Sequence, residues 1–148
     1  MCNLVALTMV VPCFNEEDML PISIPKFIGI LQDLIDNQLI TKDSKILFVD
    51  DGSKDKTWNI IQQFYQADKH VTGLKLSKNF GHQNALLAGL MSIDTDISIS
   101  IDADLQDDPS VIKKMIEAYY GGAEVVFGVR DDRSSDSFAK RFFAQNYY

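Results

Sequence analysis

Residues 96–109 read "DISISIDADLQDDP", an apolar alternation that runs into a burst of carboxylates. On an extended chain, successive side chains point to opposite faces. Ile97, Ile99 and Ile101 then share one face, and Ser98, Ser100, Asp102 and Asp104 share the other, with Gln106 next in step. Carboxylates this close repel, and a buried unpaired carboxylate is costly. The position therefore requires water or a positive partner. Carboxylates with an amide oxygen are hard donors, which suit Mg2+ or Mn2+ better than zinc. Such ions keep several waters and bind the phosphates of a substrate. A metal–diphosphate unit would neutralise the acidic cluster.

The rest of the chain alternates strands and helices around this segment. Strands are expected at 4–11 ("LVALTMVV"), 44–50 ("SKILFVD"), 71–77 ("VTGLKLS"), 96–103 ("DISISIDA") and 123–130 ("AEVVFGVR"). Helices are expected at 19–37, where Ile24, Phe27, Ile28, Leu31, Leu34 and Ile35 form one stripe, at 56–67, with Ser53 as its N-cap, at 81–93, and at 109–122, opened by Pro109 and closed by glycine. The tail "SSDSFAKRFFAQNYY" also reads as helix. Strands that alternate with helices imply a mostly parallel, open α/β sheet with helices on both faces and right-handed crossovers. With no internal repeat or linker, residues 1–148 form a single domain, and the end of the chain inside "FFAQNYY" suggests truncation at the C-terminus.

Open parallel sheets bind ligands at the carboxyl ends of their strands. Four of the five expected strands deliver charge there: Asn15, Glu16 and Glu17 after the first, Asp50 and Asp51 after the second, "DADLQDD" after the fourth, Arg130 and Arg133 after the fifth. Each cluster also has a plainer explanation. "DDGS" suits a turn, Glu16 and Glu17 a helix start, Asp107 and Asp108 caps before Pro109, and Arg130 an ion pair. Asp102 and Asp104 are hardest to explain in that way. His82 reads as a polar helix start and Cys13 as a small packing residue. Neither GxGxxG nor GxxxxGK[ST] occurs, so a diphosphate would be held by metal and arginine.

Composition narrows the classes. Hydrophobic residues make up 46% of the 148 and charged residues 24%, an ordinary globular balance. A net charge of −7 argues against nucleic acid as a partner. Two cysteines, Cys2 and Cys13, are too few for a disulfide framework. No basic residue precedes the first apolar run, so it reads as a buried strand rather than a signal peptide, and no run reaches the ~18 residues needed to span a bilayer.

The ordered segments "VVPCFNEE", "ILFVDDGSKDKT", "LSKNFGHQNALLAGL", "IDADLQDDP" and "VVFGVR" resemble family 2 glycosyltransferases of GT-A fold, a Rossmann-like nucleotide-diphospho-sugar transferase architecture. Within that family the chain is most similar to the polyprenyl-phosphate glycosyltransferases, the dolichol-phosphate mannose synthase group. The resemblance covers nearly the whole chain. It implies that Pro12, Phe14 and Glu16 line a nucleoside pocket and that Val49 and Asp51 contact the base. Asp102 and Ala103 would lie against the ribose, Asp104 and Gln106 would bind Mg2+ or Mn2+, and Arg130 would approach the phosphates. Phe14 stands where the branch commonly has tyrosine, and Lys78 where arginine is common; a hydroxyl and a bidentate contact are thereby lost.

The expected reaction is inverting transfer of a hexose from a nucleoside diphosphate sugar to undecaprenyl or dolichyl phosphate, with Asp104 and Arg130 as catalytic residues. A phosphate monoester is largely dianionic at neutral pH, so no general base is assigned; Asp136 is the weak candidate. The full-length protein would work at the cytoplasmic face of a membrane, anchored through C-terminal segments absent here, and the fragment would be soluble; self-association is compatible with this. Three alternatives stand beside it: a glycosyltransferase with a saccharide or protein acceptor, a nucleotidyltransferase, for which "PCFNEE" is the wrong loop, and a receiver-type signalling module, which would carry its acidic pair after the first strand.

Overall fold

The computed structural model describes residues 3–106 and 108–129. Cys2, Asp107, Arg130, Arg133, Asp136 and the tail helix expected from "SSDSFAKRFFAQNYY" lie outside them. Four strands, β1 (Leu7–Cys13), β2 (Lys45–Asp50), β3 (Val71–Lys75) and β4 (Ile97–Ser100), alternate with helices α1 (Leu20–Asp36), α2 (Thr57–Ala67), α3 (His82–Ser92) and α4 (Pro109–Tyr120). The strands form one parallel sheet in the order β3-β2-β1-β4. The chain builds outward from β1 to β3, then returns across the sheet to place β4 on the other side of β1. Right-handed crossovers that reverse direction must put their helices on opposite faces.

The side chains record that division. Leu7, Met9, Val11 and Cys13 of β1, with Ile46 and Phe48 of β2, pack in one cluster with Leu20, Ile24, Phe27 and Leu31 of α1, Ile61 of α2, and Ile112 and Ile116 of α4. Val10, Leu47 and Val49 face the other way, onto Ala85 of α3. Odd and even positions of β1 thus serve two cores, and all seven of its residues are buried. Gly89 lets α3 approach this closely, since a Cβ there would lie 2.6 Å from Val10 Cγ1 and 2.8 Å from Val49 Cγ2.

Several boundaries differ from the sequence expectation. The first strand begins at Leu7 and runs on through Pro12 and Cys13, while Leu4 is exposed. Proline inside a central strand would ordinarily remove a ladder bond. Here β4 pairs with β1 only as far as Val10, and Ile101 N–H closes that ladder on Val10 O. Cys13 O points to β2, where it accepts from Asp51 N–H, so the adjacent Pro12 faces the side where no ladder bond is being made.

The fourth strand is shorter than 96–103, and its Ser98 and Ser100 face is exposed. Asp102 and Asp104 are therefore on a turn beyond the strand rather than on a buried strand face. Leu105 N–H bonds Asp102 O at 3.3 Å, and Leu105 takes φ +52°. Ser53 does not cap α2. Lys56 holds the N-cap position without a side-chain bond, and Asp55 accepts from Thr57 N–H at 2.9 Å in the first turn. Residues 123–129 do not form the fifth strand. This stretch runs beside α4, where a Cβ on Gly128 would lie 2.9 Å from Met115 Cε, and Val125, Phe127 and Val129 are exposed. Alternating hydropathy supplies faces for a strand but no backbone partner, and pairing decides whether a strand forms.

Candidate functional site

The order β3-β2-β1-β4 has its switch point between β1 and β4, where loops leave in opposite directions and open a crevice at the carboxyl ends. A cleft of about 400 Å³ lies there. The end of β1 contributes Pro12, Cys13, Phe14 and Glu16; the turn after β4 contributes Asp102, Ala103 and Asp104; Asp51 follows β2. Seven of the residues implied by the resemblance thus converge: Pro12, Phe14, Glu16, Asp51, Asp102, Ala103 and Asp104.

Val49 and Gln106 are not on its lining. Val49 is fully buried with its side chain under α3. Gln106 is exposed, and its N–H reaches Asp104 Oδ1 at 3.3 Å. Arg130 lies outside the described residues. Asn79 and Gly81, from the β3–α3 loop, and His82, the first residue of α3, complete the wall. His82 does open α3, as its polar helix-start reading expects, and it also lines the cleft, whereas Asn79 and Gly81 carry no role in the sequence reading. The available signal was their place in "LSKNFGHQ", immediately after a strand on the ligand-binding rim.

The two loops flanking β1 and β2 are stitched together. Asn15, at φ +51°, donates its N–H to Ser53 Oγ at 2.9 Å and accepts from Lys54 N–H at 3.0 Å. Glu17 accepts from Lys56 N–H at 3.1 Å. Glu16 N–H reaches Thr57 Oγ1 at 2.8 Å, but its carboxyl group is left for the cleft. Of the adjacent acids after β1, one therefore holds loops together and the other faces the ligand space. Burial, with the negative charges of Asp104 and Asp55 nearby, pushes the Glu16 carboxyl above its ordinary range. Burial also raises the Cys13 thiol, with Glu16 and Asp50 adding to the effect, so Cys13 is not a thiolate nucleophile at neutral pH.

The two aspartates at the end of β2 are both buried, and both accept backbone donors. Asp50 is fully buried and accepts from Ser53 N–H at 3.0 Å, while its Oδ2 has no partner among the described residues. Asp51, 2% exposed, accepts from Phe80 N–H at 2.7 Å and Gly81 N–H at 3.1 Å. Across the cleft, His82 Nε2 stands 3.7 Å from Asp102 Oδ1. Phe14 remains 42% exposed at the cleft, so it can offer a stacking face.

Among the described residues, no three His, Cys, Asp or Glu side chains come together as a self-sufficient metal cage. The donors present suit a different kind of site. Asp104 raises the proton affinity of Glu16 by charge repulsion, and a divalent cation beside Asp104 would relieve that repulsion. Mg2+-type sites commonly use one or two carboxylates and take their remaining ligands from water and substrate phosphate.

Comparison with known proteins places this geometry. The model of the family described as "Glycosyl transferase family 2" matches residues 8–146. An uncharacterized glycosyltransferase of Bacillus subtilis, YkoT, is 53% identical over 144 residues, covering 96% of this chain and 43% of that protein. The bactoprenol glucosyl transferase of Shigella phage SfX is 39% identical over 142 residues, 96% of this chain and 45% of that protein. The chain thus spans less than half the length of these relatives. Among solved structures, the mannosyltransferase PcManGT of Pyrobaculum calidifontis, in complex with GDP-Man and Mn2+, superposes with a TM-score of 0.64 at 19% identity, over 78% of this chain and 32% of that one. Glucosyl-3-phosphoglycerate synthase of Mycobacterium tuberculosis, with Mn2+ and UDP, gives 0.64 at 18% identity over 95% and 50%. At such identities the likeness establishes the fold, the open α/β sheet of GT-A type. No helix of the described residues is long and apolar enough to cross a membrane.

Proposed function

Because the chain belongs to the family 2 glycosyltransferases, we propose that it is the nucleotide-sugar-binding domain of an enzyme that transfers a sugar, with inversion, from a nucleoside diphosphate sugar to a polyprenyl phosphate. The observation that carries this reading is the convergence of Glu16, Asp102 and Asp104 at the β1–β4 switch point. The lipid acceptor rests on the 39% identity to a bactoprenol glucosyl transferase.

In this reading Phe14 stacks on the base, and Pro12 and Ala103 form the apolar floor beneath the nucleoside. Asp102 accepts from the ribose hydroxyls. Asp104 and Gln106 are the residues that would hold a divalent cation beside the donor phosphates. A cation bound there supplies electrostatic stabilisation of the charge that grows on the departing nucleoside diphosphate. Arg130 adds a second positive contact to the same phosphates. The acceptor phosphate, with a second pKa of about 6, is already dianionic at neutral pH and attacks the anomeric carbon without a protein base. Such an acceptor places the working enzyme at a membrane surface.

The test is a donor screen. UDP-, GDP- and CDP-sugars are incubated with polyprenyl phosphate in detergent, with and without Mn2+, using the protein extended to the length of its relatives. Glycolipid formation from one donor class, dependent on Mn2+, is expected. Transfer to a saccharide or peptide acceptor but not to polyprenyl phosphate would overturn the lipid assignment, and turnover unaffected by chelation would overturn the metal.

A further inference from the structure

His82 and Asp102 face each other across the cleft, one on α3 and the other on the turn after β4. His82 Nε2 stands 3.7 Å from Asp102 Oδ1, beyond hydrogen-bond reach, so the two do not satisfy each other directly. Their side chains are 60% and 57% exposed, and an ion pair so open to water adds little to stability. Each is nevertheless carried by anchored backbone, and both anchors end on Val10 of β1. Gly89 seats α3 against the Val10 side chain, and Ala85 N–H donates to Gly81 O at 3.0 Å in the first turn of that helix. On the facing side, Ile101 N–H donates to Val10 O at 3.0 Å, and Leu105 N–H to Asp102 O at 3.3 Å. The gap between the two side chains is therefore set by the sheet.

A gap of this width suits one hydroxyl group. A hydroxyl has one proton to donate and lone pairs to accept, an imidazole Nε2–H donates, and a carboxylate only accepts. One oxygen about 2.9 Å from Nε2 and about 2.8 Å from Oδ1 would subtend about 80°, and parting of the two open side chains by about 1 Å brings this to the tetrahedral angle. A phosphate oxygen of a diphosphate carries no such proton, and Asp102 would repel it. We propose that His82 is a specificity residue of the cleft: it donates through Nε2 to the oxygen of the ribose hydroxyl whose proton goes to Asp102, so that the pair reads that hydroxyl. A site that bonds a hydroxyl rejects the analogue without it, because the protein groups are left unpartnered. Both groups here stand open to water, so the discrimination is about 30-fold rather than the ~10,000-fold of an enclosed site. This role rests on the nucleotide-donor reading above and adds to it a residue that reads the ribose.

The experiment is calorimetry on the full chain with Mn2+, using UDP, 2′-deoxy-UDP and 3′-deoxy-UDP, or the corresponding series of another base should the donor screen select it. The native chain should bind UDP about 30-fold more tightly than one of the two deoxy analogues. His82→Ala should lose about tenfold in UDP affinity yet bind that analogue within about twofold of the native chain. The preference for the hydroxyl then falls to about threefold, the part that Asp102 supplies alone. Equal losses for UDP and both analogues in His82→Ala would show that His82 acts on the phosphates or on the fold and would overturn the proposal. A native chain that binds UDP and both analogues alike would also overturn it. His82→Phe, which keeps a ring and removes the donor, should repeat the His82→Ala result and decides the question if His82→Ala fails to fold. A native chain that binds no nucleoside diphosphate would overturn the nucleotide reading and the role of His82 with it, whereas nucleotide binding indifferent to His82 would overturn this proposal alone.

Discussion

The two ends of the sheet carry clefts of similar size, about 400 Å³ at the carboxyl end and 430 Å³ at the amino end. Volume does not distinguish them; charge does. At the amino end Lys42, Lys45 and Lys69 stand among Asp43 and Asp94, and Lys45 Nζ lies 3.7 Å from Asp94 Oδ1. Polar groups there close the structure: Ser44 Oγ accepts from Leu7 N–H at 2.9 Å, and His70 Nδ1 lies 2.9 Å from Ser44 O. At the carboxyl end Glu16, Asp51, Asp102 and Asp104 share one lining with His82 as its basic residue among the described ones. The repulsion is visible in the raised proton affinity of Glu16, to which Asp104 contributes after burial. A balanced set of charges needs no ligand. An unbalanced set costs stability, and proteins keep such sites where a ligand supplies the missing charge.

The largest effect that would sharpen this contrast is on metal-linked binding. Asp104→Ala should abolish most of the strengthening that Mn2+ gives to nucleoside diphosphate binding, a loss of about 100-fold, or ~2.7 kcal/mol, by calorimetry. If Mn2+ strengthens binding equally in the variant, the unbalanced end does not hold its cation at Asp104.

A smaller effect concerns the cost of the imbalance. The folded chain holds the Glu16 proton more tightly than the unfolded chain does. The stability this contributes is present in full below the ordinary value of 4.5 and is lost as pH rises through the higher folded value. Glu16→Gln, neutral at every pH, should therefore be the more stable protein above that window, by under about 1 kcal/mol, with the difference vanishing below it. Urea unfolding from pH 4 to 7 measures this. A difference that grows as pH falls would show that the carboxylate is stabilised by its surroundings.

The smallest effect is expected at the other end. Lys45 and Asp94 are 41% and 83% exposed at their side chains, so their pair is a solvated one. Lys45→Ala should change stability by about 0–0.5 kcal/mol and leave UDP affinity as it was. A several-fold change in nucleotide binding would break the assignment of the ligand to the carboxyl end.

How far the sequence could be read depended on whether a feature was local. The Ile24–Phe27–Leu31–Leu34 stripe announces α1, and Pro109 with Asp108 before it announces α4, where Asp108 does accept from Ser110 N–H at 2.9 Å. Ordered motifs pointed to seven of the cleft residues before any coordinates. Residues 123–129 misled because "AEVVFGV" has a strand's hydropathy while its backbone runs beside α4. Ser53 misled for a related reason: its hydroxyl, able to cap a helix, is taken by Asn15 N–H from another loop.

The sequence by itself determined the alternation of elements, the two-sided apolar character of β1 and the gathering of carboxylates after strands. These follow from periodicity and side-chain chemistry within a few neighbouring residues. Only the tertiary structure decided that Glu17 is an internal fastener while Glu16 opens to the cleft. It alone brought Asp51 to Phe80 and Gly81, and His82 to within 3.7 Å of Asp102. The physical reason is that a carboxylate's role is set by which donors reach it. When those donors belong to loops that meet only through the sheet order, no stretch of neighbouring residues contains the information.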